Sequence, residues 1–212
     1  MHTMTRLPCG AAIAILMACA NPTTAAPTPI ASPPHSGVAA ASAISSDNDT
    51  TAMISELRQR IAAPQVSVTT DVNAPSRDVY RLIADYRFGH SRILPPDFFR
   101  NLEVEKGGYG AGTVIQFDML AFGRTQHLWA HVTEPDPGRV LTEAYPQNGA
   151  VTAFTVDSLG FDRSRVTIAT YLRVGTGIRG RLELWMMRRF LRKVYIAELA
   201  LIDQQVQSDR AN

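Results

Sequence analysis

The chain contains no cysteine beyond its first twenty residues, since Cys9 and Cys19 are its only two. A domain without cysteine needs no disulfide and offers no thiolate to a metal ion. A glycine-rich phosphate loop, a nucleophile elbow, a zinc motif and a dinucleotide fingerprint are also absent. The sequence therefore predicts no cofactor and no metal site, and no motif names a reaction.

The chain also lacks a large excess of charge of one sign, and it lacks long apolar runs. The formal net charge of +2 over 212 residues is too small to indicate a nucleic-acid partner, so none is expected. The apolar stretch at residues 10–18 is too short to cross a bilayer as a helix. These two absences favour a globular domain behind a leader.

Residues 1–20 have the pattern of an export signal. The segment ends in Leu16-Met17-Ala18-Cys19, which resembles a bacterial lipobox and predicts lipidation of Cys19 and a cell-envelope lipoprotein. A plain secretory signal is the first alternative, and a cytoplasmic protein is the second.

Residues 21–51 are rich in Ala, Pro, Ser and Thr. Such a composition buries too little apolar surface to offset its ordering entropy, which predicts a disordered tether. Residues 52–64 are expected to form a short helix ended by Pro64, and residues 65–208 a ligand-binding domain.

Within that domain the apolar periodicity changes several times. Alternating residues predict a strand at 66–72, and helical spacing follows at 79–83, with another helical turn expected at 97–99. Further strands are predicted at 102–106, 112–120, 128–133, 140–145, 151–157 and 165–174. A helix of about thirty residues follows, with two apolar rows. We expect an α+β domain in which a curved antiparallel sheet of about seven strands wraps around this helix, with two short helices after the first strand.

Three motifs carry a resemblance to a known family. They are Val72-Asn73-Ala74-Pro75, the stretch VYRLIAD at 79–85, and Gly112-Thr113. With the element order, they resemble the SRPBCC superfamily, which contains START domains, birch-pollen-allergen-like proteins and polyketide cyclase/dehydrase-like proteins. The resemblance implies a helix-grip fold with an internal cavity. Family functions range from lipid and hormone binding to ring cyclisation, so no catalytic set is carried over.

On this basis we expect a carrier of a small hydrophobic ligand such as a lipid, a sterol or a polyketide-like molecule. Large side chains are the candidate lining: Tyr80, Phe88, Arg92, Phe98, Phe117, Met119, Trp129, Tyr145, Phe154, Tyr171, Trp185, Met186 and Phe190. The alternative is that these side chains fill a solid core. The loop at 86–96 is expected to form the entrance, with Phe88, His90 and Arg92 on its rim, mobility at Gly89, and Arg92 pairing with an anionic ligand head.

An enzyme of the cyclase/dehydratase or hydrolase kind is the alternative function. His131 and Glu143 would act as acid and base across neighbouring strands, and Tyr145 or Tyr171 would stabilise an oxyanion. This version requires His131 and Glu143 to lie on the same side of the sheet. Otherwise the two are an ordinary polar pair.

The start of the last helix is basic. It carries Arg179, Arg181, Arg188, Arg189, Arg192 and Lys193 against Glu183 alone. Two interpretations stay open at this point: contact with an anionic membrane surface, or an ordinary solvated helix face.

Overall fold

The computed structural model describes residues 63–211. The leader, the tether and all but the last two residues of the helix expected at 52–64 lie outside the described residues. Lipidation at Cys19 and export therefore stay predictions. Among residues 63–211, no helix has the length and apolarity needed to cross a membrane.

Seven antiparallel strands form one sheet. Its strands are β1 (Val66–Val72), β2 (Phe99–Lys106), β3 (Val114–Ala121), β4 (Arg124–Asp136), β5 (Val140–Tyr145), β6 (Ala150–Gly160) and β7 (Arg163–Tyr171). Their order is β1-β7-β6-β5-β4-β3-β2, so consecutive strands pair as hairpins and the first strand closes on the last. Register shifts interrupt β2, β4 and β6, and such irregularities bend a sheet.

Three helices accompany the sheet: α1 (Ser76–Ala84), α2 (His90–Ile93) and α3 (Gly177–Ala211). The two short helices after β1 are confirmed, but the second was placed wrongly at 97–99. There the amides of Phe98 and Phe99 both donate to the Pro95 carbonyl, which makes a turn. Phe99 then opens β2 opposite Met119, because strand pairing offers its backbone a longer ladder than one turn of helix does.

One face of the sheet packs against α3. Directly paired residues share a face in an antiparallel sheet, and the pairs Phe117–Leu128 and Phe154–Ile168 are buried on this inner face. The helix contributes its buried residues Leu191, Val194, Tyr195, Glu198, Leu199, Ile202 and Val206. The expected α+β helix-grip architecture is confirmed, with the main core between the sheet and α3.

Candidate functional site

A buried carboxylate, Glu143, lies on the inner face of β5. It pairs with Val132 of β4 and is 4% exposed. The Tyr86 hydroxyl donates to its Oε1 at 2.7 Å, and the Tyr145 hydroxyl donates to its Oε2 at 2.5 Å. Both oxygens of this carboxylate therefore accept a hydrogen bond from a tyrosine hydroxyl. Burial and the charge of Glu143 both raise the pKa of each tyrosine well above its ordinary value, so both remain donors.

His90, the first residue of α2, stands beside this carboxylate. Its ring stacks on Tyr86 at 4.3 Å between centroids, and its Nδ1 lies 2.7 Å from the Ile83 carbonyl oxygen. A carbonyl only accepts, so Nδ1 carries a hydrogen. The other ring nitrogen, Nε2, then faces Oε1 of Glu143 at 3.6 Å.

A second carboxyl group, Glu198, enters the same region from α3. It is 2% exposed, and its Oε1 has no hydrogen-bond partner. Burial raises its pKa well above the ordinary value, and the negative charge of Glu143 raises it further. Burial therefore favours the protonated, neutral form of Glu198, and its Oε1 remains available for a hydrogen bond.

Hydroxyl groups border the carboxyl pair on the side of β6 and β7. Thr152, opposite Glu143 in the register, hydrogen-bonds Thr170 at 2.9 Å, and Thr170 also bonds the Tyr195 hydroxyl. Burial raises the pKa of Tyr195 above its ordinary value. We use the name polar cluster for all eight residues: Tyr86, His90, Glu143, Tyr145, Thr152, Thr170, Tyr195 and Glu198.

Partly exposed apolar side chains extend from the polar cluster to the surface. The Tyr145 ring meets Phe117 at 6.2 Å, and Phe117 meets Phe99 at 5.6 Å. Phe190 of α3 contacts Phe98 at 5.8 Å and Phe122 at 5.1 Å. The apolar rim consists of the partly buried members of this region: Phe98, Phe99, Met119, Tyr145, Met187 and Phe190. These side chains pack against the core while remaining partly exposed to water.

The expected His131–Glu143 acid–base pair is wrong. His131 pairs with Ala144, whereas Glu143 pairs with Val132, so the two side chains leave opposite faces of the sheet. Trp129 shares the outer face with His131 and is 45% exposed. The alternation along β4 is as predicted, but the side expected to face inward was wrong. The larger Trp129 was expected inside, whereas the smaller Leu128, Ala130 and Val132 are the buried residues.

The expected mobile entrance at 86–96 is also wrong. Tyr86, His90 and Ile93 are buried, and a Cβ on Gly89 would lie 2.4 Å from the Leu82 carbonyl oxygen. Gly89 thus permits a close approach of this segment to α1. The Arg92 guanidinium forms two 2.7 Å hydrogen bonds with the Asp209 carboxylate, so its anionic partner is a residue of α3.

The other predicted lining residues divide by position. Phe117 and Phe154 are buried on the inner face, and Tyr80 is buried with its hydroxyl on Glu134. Met119, Tyr145, Phe98, Met186 and Phe190 are partly exposed. Two expectations of an inward position are wrong: Trp185 is 61% exposed, and Tyr171, opposite Val151, lies on the outer face. Phe88, which was expected on the rim of the entrance, is 74% exposed.

Sequence reasoning missed Glu198 and Tyr86. The position of Glu198 could have been recognised from the sequence. It continues the helical row of Leu191, Val194 and Tyr195, and Ile202 follows it at the same spacing. A carboxylate on an apolar helix row is unusual enough to mark a site. Tyr86 follows the end of α1 directly, and no sequence pattern distinguishes its buried side chain from an exposed one.

The chemistry available here is hydrogen bonding and proton exchange. Across residues 63–211, no group of three or more His, Cys, Asp or Glu side chains is arranged to hold a metal ion. The polar cluster offers one acceptor carboxylate, one neutral carboxyl group and several hydroxyl donors.

Comparison with known proteins supports the fold. No protein-family model and no curated protein matches the chain. Several solved structures do match the chain. The solution structure of KanY matches at 24% identity with a TM-score of 0.59, and the match covers 67% of this chain and 96% of KanY. The ZhuI aromatase/cyclase from Streptomyces sp. R1128 matches at 19% identity and TM-score 0.54, covering 67% and 92% of the two chains. Norcoclaurine synthase from Thalictrum flavum, solved with dopamine and hydroxybenzaldehyde, matches at 15% identity and TM-score 0.51, covering 68% and 86%. These likenesses confirm the helix-grip fold expected from the SRPBCC resemblance.

Proposed function

We propose that this protein binds a small, uncharged and largely apolar molecule that carries a carbonyl or hydroxyl oxygen. The molecule lies between the inner face of the sheet and α3, with its oxygen on Glu198. The observation that carries the proposal is the buried, unpaired Oε1 of Glu198 on an otherwise apolar helix face. Two proteins of the same fold act on or hold small aromatic molecules by their names.

The energetic argument starts from the cost of Glu198. A buried polar group without a partner costs about 1–3 kcal/mol. A ligand oxygen that pairs with the neutral carboxyl group removes part of this cost, whereas an apolar ligand leaves it in place. A protonated carboxyl group can donate to a carbonyl or accept from a hydroxyl, so both oxygen types suit the site.

The surrounding charges select against anionic ligands. Glu143 is the acceptor of two tyrosine hydroxyls, and a second negative charge beside it would be repelled in a region of low polarity. Arg92, the cation expected to hold an anionic head, is paired with Asp209. We therefore favour a neutral ketone, phenol or alcohol, such as a polyketide-like ring system or a sterol, over a fatty-acid anion.

A matched pair of probes tests the proposal. Titration calorimetry with naphthalene and 2-naphthol compares ligands that differ by one hydroxyl group. We expect the wild type to prefer 2-naphthol by about two- to tenfold, the effect of one neutral hydrogen bond. Glu198→Met should abolish this preference, and Glu198→Gln should keep part of it.

Glu183→Met, a substitution on the same helix away from the buried row, is the control and should behave as the wild type. Failure of either probe to bind, or an unchanged preference in Glu198→Met, contradicts the proposal.

Proton-transfer catalysis is the second candidate. It is favoured by two buried carboxyl groups in different surroundings, since Glu143 accepts from two tyrosines and burial raises the pKa of Glu198. Carboxyl groups in different surroundings can serve acid–base chemistry. In this candidate mechanism Glu143 is the base and Glu198 is the acid. His90, and not His131, is the histidine beside Glu143. The test is deuterium exchange at the α-carbon of 2-tetralone in heavy water, followed by NMR. If the wild type accelerates the exchange and Glu143→Gln does not, the result supports an enzyme. If the wild type exchanges only at the uncatalysed rate, the result contradicts catalysis and favours a binding protein.

A further inference from the structure

The first half of α3 presents large apolar side chains to solvent. Ile178, Leu182 and Trp185 are 87%, 57% and 61% exposed. They are spaced by four and three residues, so they lie on one side of the helix. We call these three residues the exposed row.

The exposed row belongs to a helix segment that is anchored to the domain. On the opposite side of the segment Met187 packs against the core and Leu191 is buried. The Arg188 Nε donates to the Gln65 carbonyl oxygen at 2.7 Å. The row therefore faces away from the sheet because the other side of the helix is occupied.

Positive charge surrounds the exposed row. Six basic residues accompany it: Arg179, Arg181, Arg188, Arg189, Arg192 and Lys193. All six are exposed, and within residues 63–211 none of them forms an ion pair with a carboxylate. Glu183 is the one acidic residue of the segment. On a helical wheel, positions 181, 189 and 192 adjoin the exposed row.

We propose that this face of α3 docks on an anionic lipid bilayer. The exposed row enters the boundary between headgroups and acyl chains, where tryptophan is favoured. The flanking arginines contact lipid phosphates, each adding about fivefold to the partition coefficient at an anionic surface. This proposal is independent of the proposed ligand and goes beyond it.

Charge complementarity decides between the occupants of such a face. A second copy docked by the same face would place two sets of basic side chains against each other, which is repulsive. A nucleic acid would satisfy the arginines but leave the exposed row without an apolar partner. An anionic bilayer satisfies the charged and the apolar side chains together.

The two tryptophans of the chain provide a direct readout. In Trp129→Phe, Trp185 is the sole tryptophan, and in Trp185→Phe, Trp129 is the sole tryptophan. The full-length chain with Cys19→Ala, which prevents lipidation at that residue, is mixed with vesicles of phosphatidylcholine or of phosphatidylcholine with phosphatidylglycerol. We expect a blue shift and quenching by brominated lipid for Trp185 with anionic vesicles, and neither change for Trp129.

Matched variants test each part of the face by vesicle co-sedimentation. Leu182→Ser should lower binding by roughly tenfold, which corresponds to about half of the energy of fully burying a leucine. Phe161→Ser, which removes an apolar side chain that is 92% exposed at the β6–β7 turn, should have no effect. Arg181→Gln should lower binding about fivefold, whereas Arg100→Gln on β2 should not. Raising the salt concentration should weaken binding of the wild type.

Several results would overturn the proposal. These are equal binding to neutral and anionic vesicles, no binding to either, or a Trp185 emission that is already blue-shifted without lipid because residues 1–62 cover the face. Concentration-dependent dimers in sedimentation velocity that Leu182→Ser abolishes, together with no vesicle binding, would assign the face to a second copy. Circular dichroism of every variant separates loss of docking from loss of folding.

Discussion

Replacing Glu198 by glutamine should change how the stability of the protein depends on pH. In the unfolded chain this carboxyl group releases its proton near its ordinary pKa of 4.5, but in the folded protein burial and Glu143 raise its pKa well above that value. At a pH between the unfolded and the folded pKa, Glu198 keeps its proton in the native state and has lost it in the unfolded state. The free energy of unfolding therefore falls as pH rises through this interval.

The size of the effect follows from the linkage relation. Each pH unit between the unfolded and folded pKa of Glu198 costs the wild type about 1.4 kcal/mol of stability. Glu198→Gln cannot ionise, so it avoids this loss while keeping the shape and polarity of the side chain. As pH rises from 5 towards the raised pKa of Glu198, the variant should therefore gain stability steadily on the wild type.

Urea denaturation followed by circular dichroism, at pH 5, 6 and 7, measures this difference. Glu183→Gln removes one carboxyl group from the same helix without touching the buried row, and it should follow the wild type. Parallel pH profiles for the wild type and Glu198→Gln would show that Glu198 ionises in the folded protein. Its role as the neutral member of the carboxyl pair would then be refuted, and with it the charge argument for the ligand.

Three further outcomes are expected. Arg92→Ala should lower the free energy of unfolding by about 0.5–1 kcal/mol, because the pair with Asp209 is bidentate but solvent-exposed; urea denaturation measures it, and Asp209→Ala should cost the same. Gly89→Ala should destabilise the protein by about 1–3 kcal/mol, since the added Cβ has no room beside the Leu82 carbonyl, and an unchanged midpoint would contradict this contact. His131→Ala should leave the affinity for 2-naphthol within twofold of the wild type, as calorimetry would show, because the side chain lies on the outer face.

Local pattern was sufficient for the elements and their order. The β5 strand has the predicted bounds of 140–145, because alternation of apolar residues between two turns leaves little choice of register. The last helix, Gly177–Ala211, has 35 residues, slightly more than the expected length of about thirty. The helical turn expected at 97–99 failed where strand pairing with β3, a non-local interaction, competed with it.

Sequence reasoning predicted less well which face of a strand is buried. Alternation along β4 separates Leu128 and Ala130 from Trp129 and His131, but it does not say which set faces α3. Hydrophobicity favoured the tryptophan side, whereas the structure places the smaller side chains inside. The choice depends on the volume available against neighbouring strands and the helix, which no local window contains.

The sequence by itself determined the helix-grip architecture, because hydrophobic periodicity and turn residues act over a few positions and are written in the chain directly. Tertiary structure alone decided the site. It brings together Tyr86 and His90 from the stretch around α2, Glu143 from β5 and Glu198 from α3. It also pairs Arg92 with Asp209, more than a hundred residues away. The protonation state of Glu198 also depends on that assembly, since both burial and the neighbouring charge of Glu143 exist only once the sheet has closed on α3.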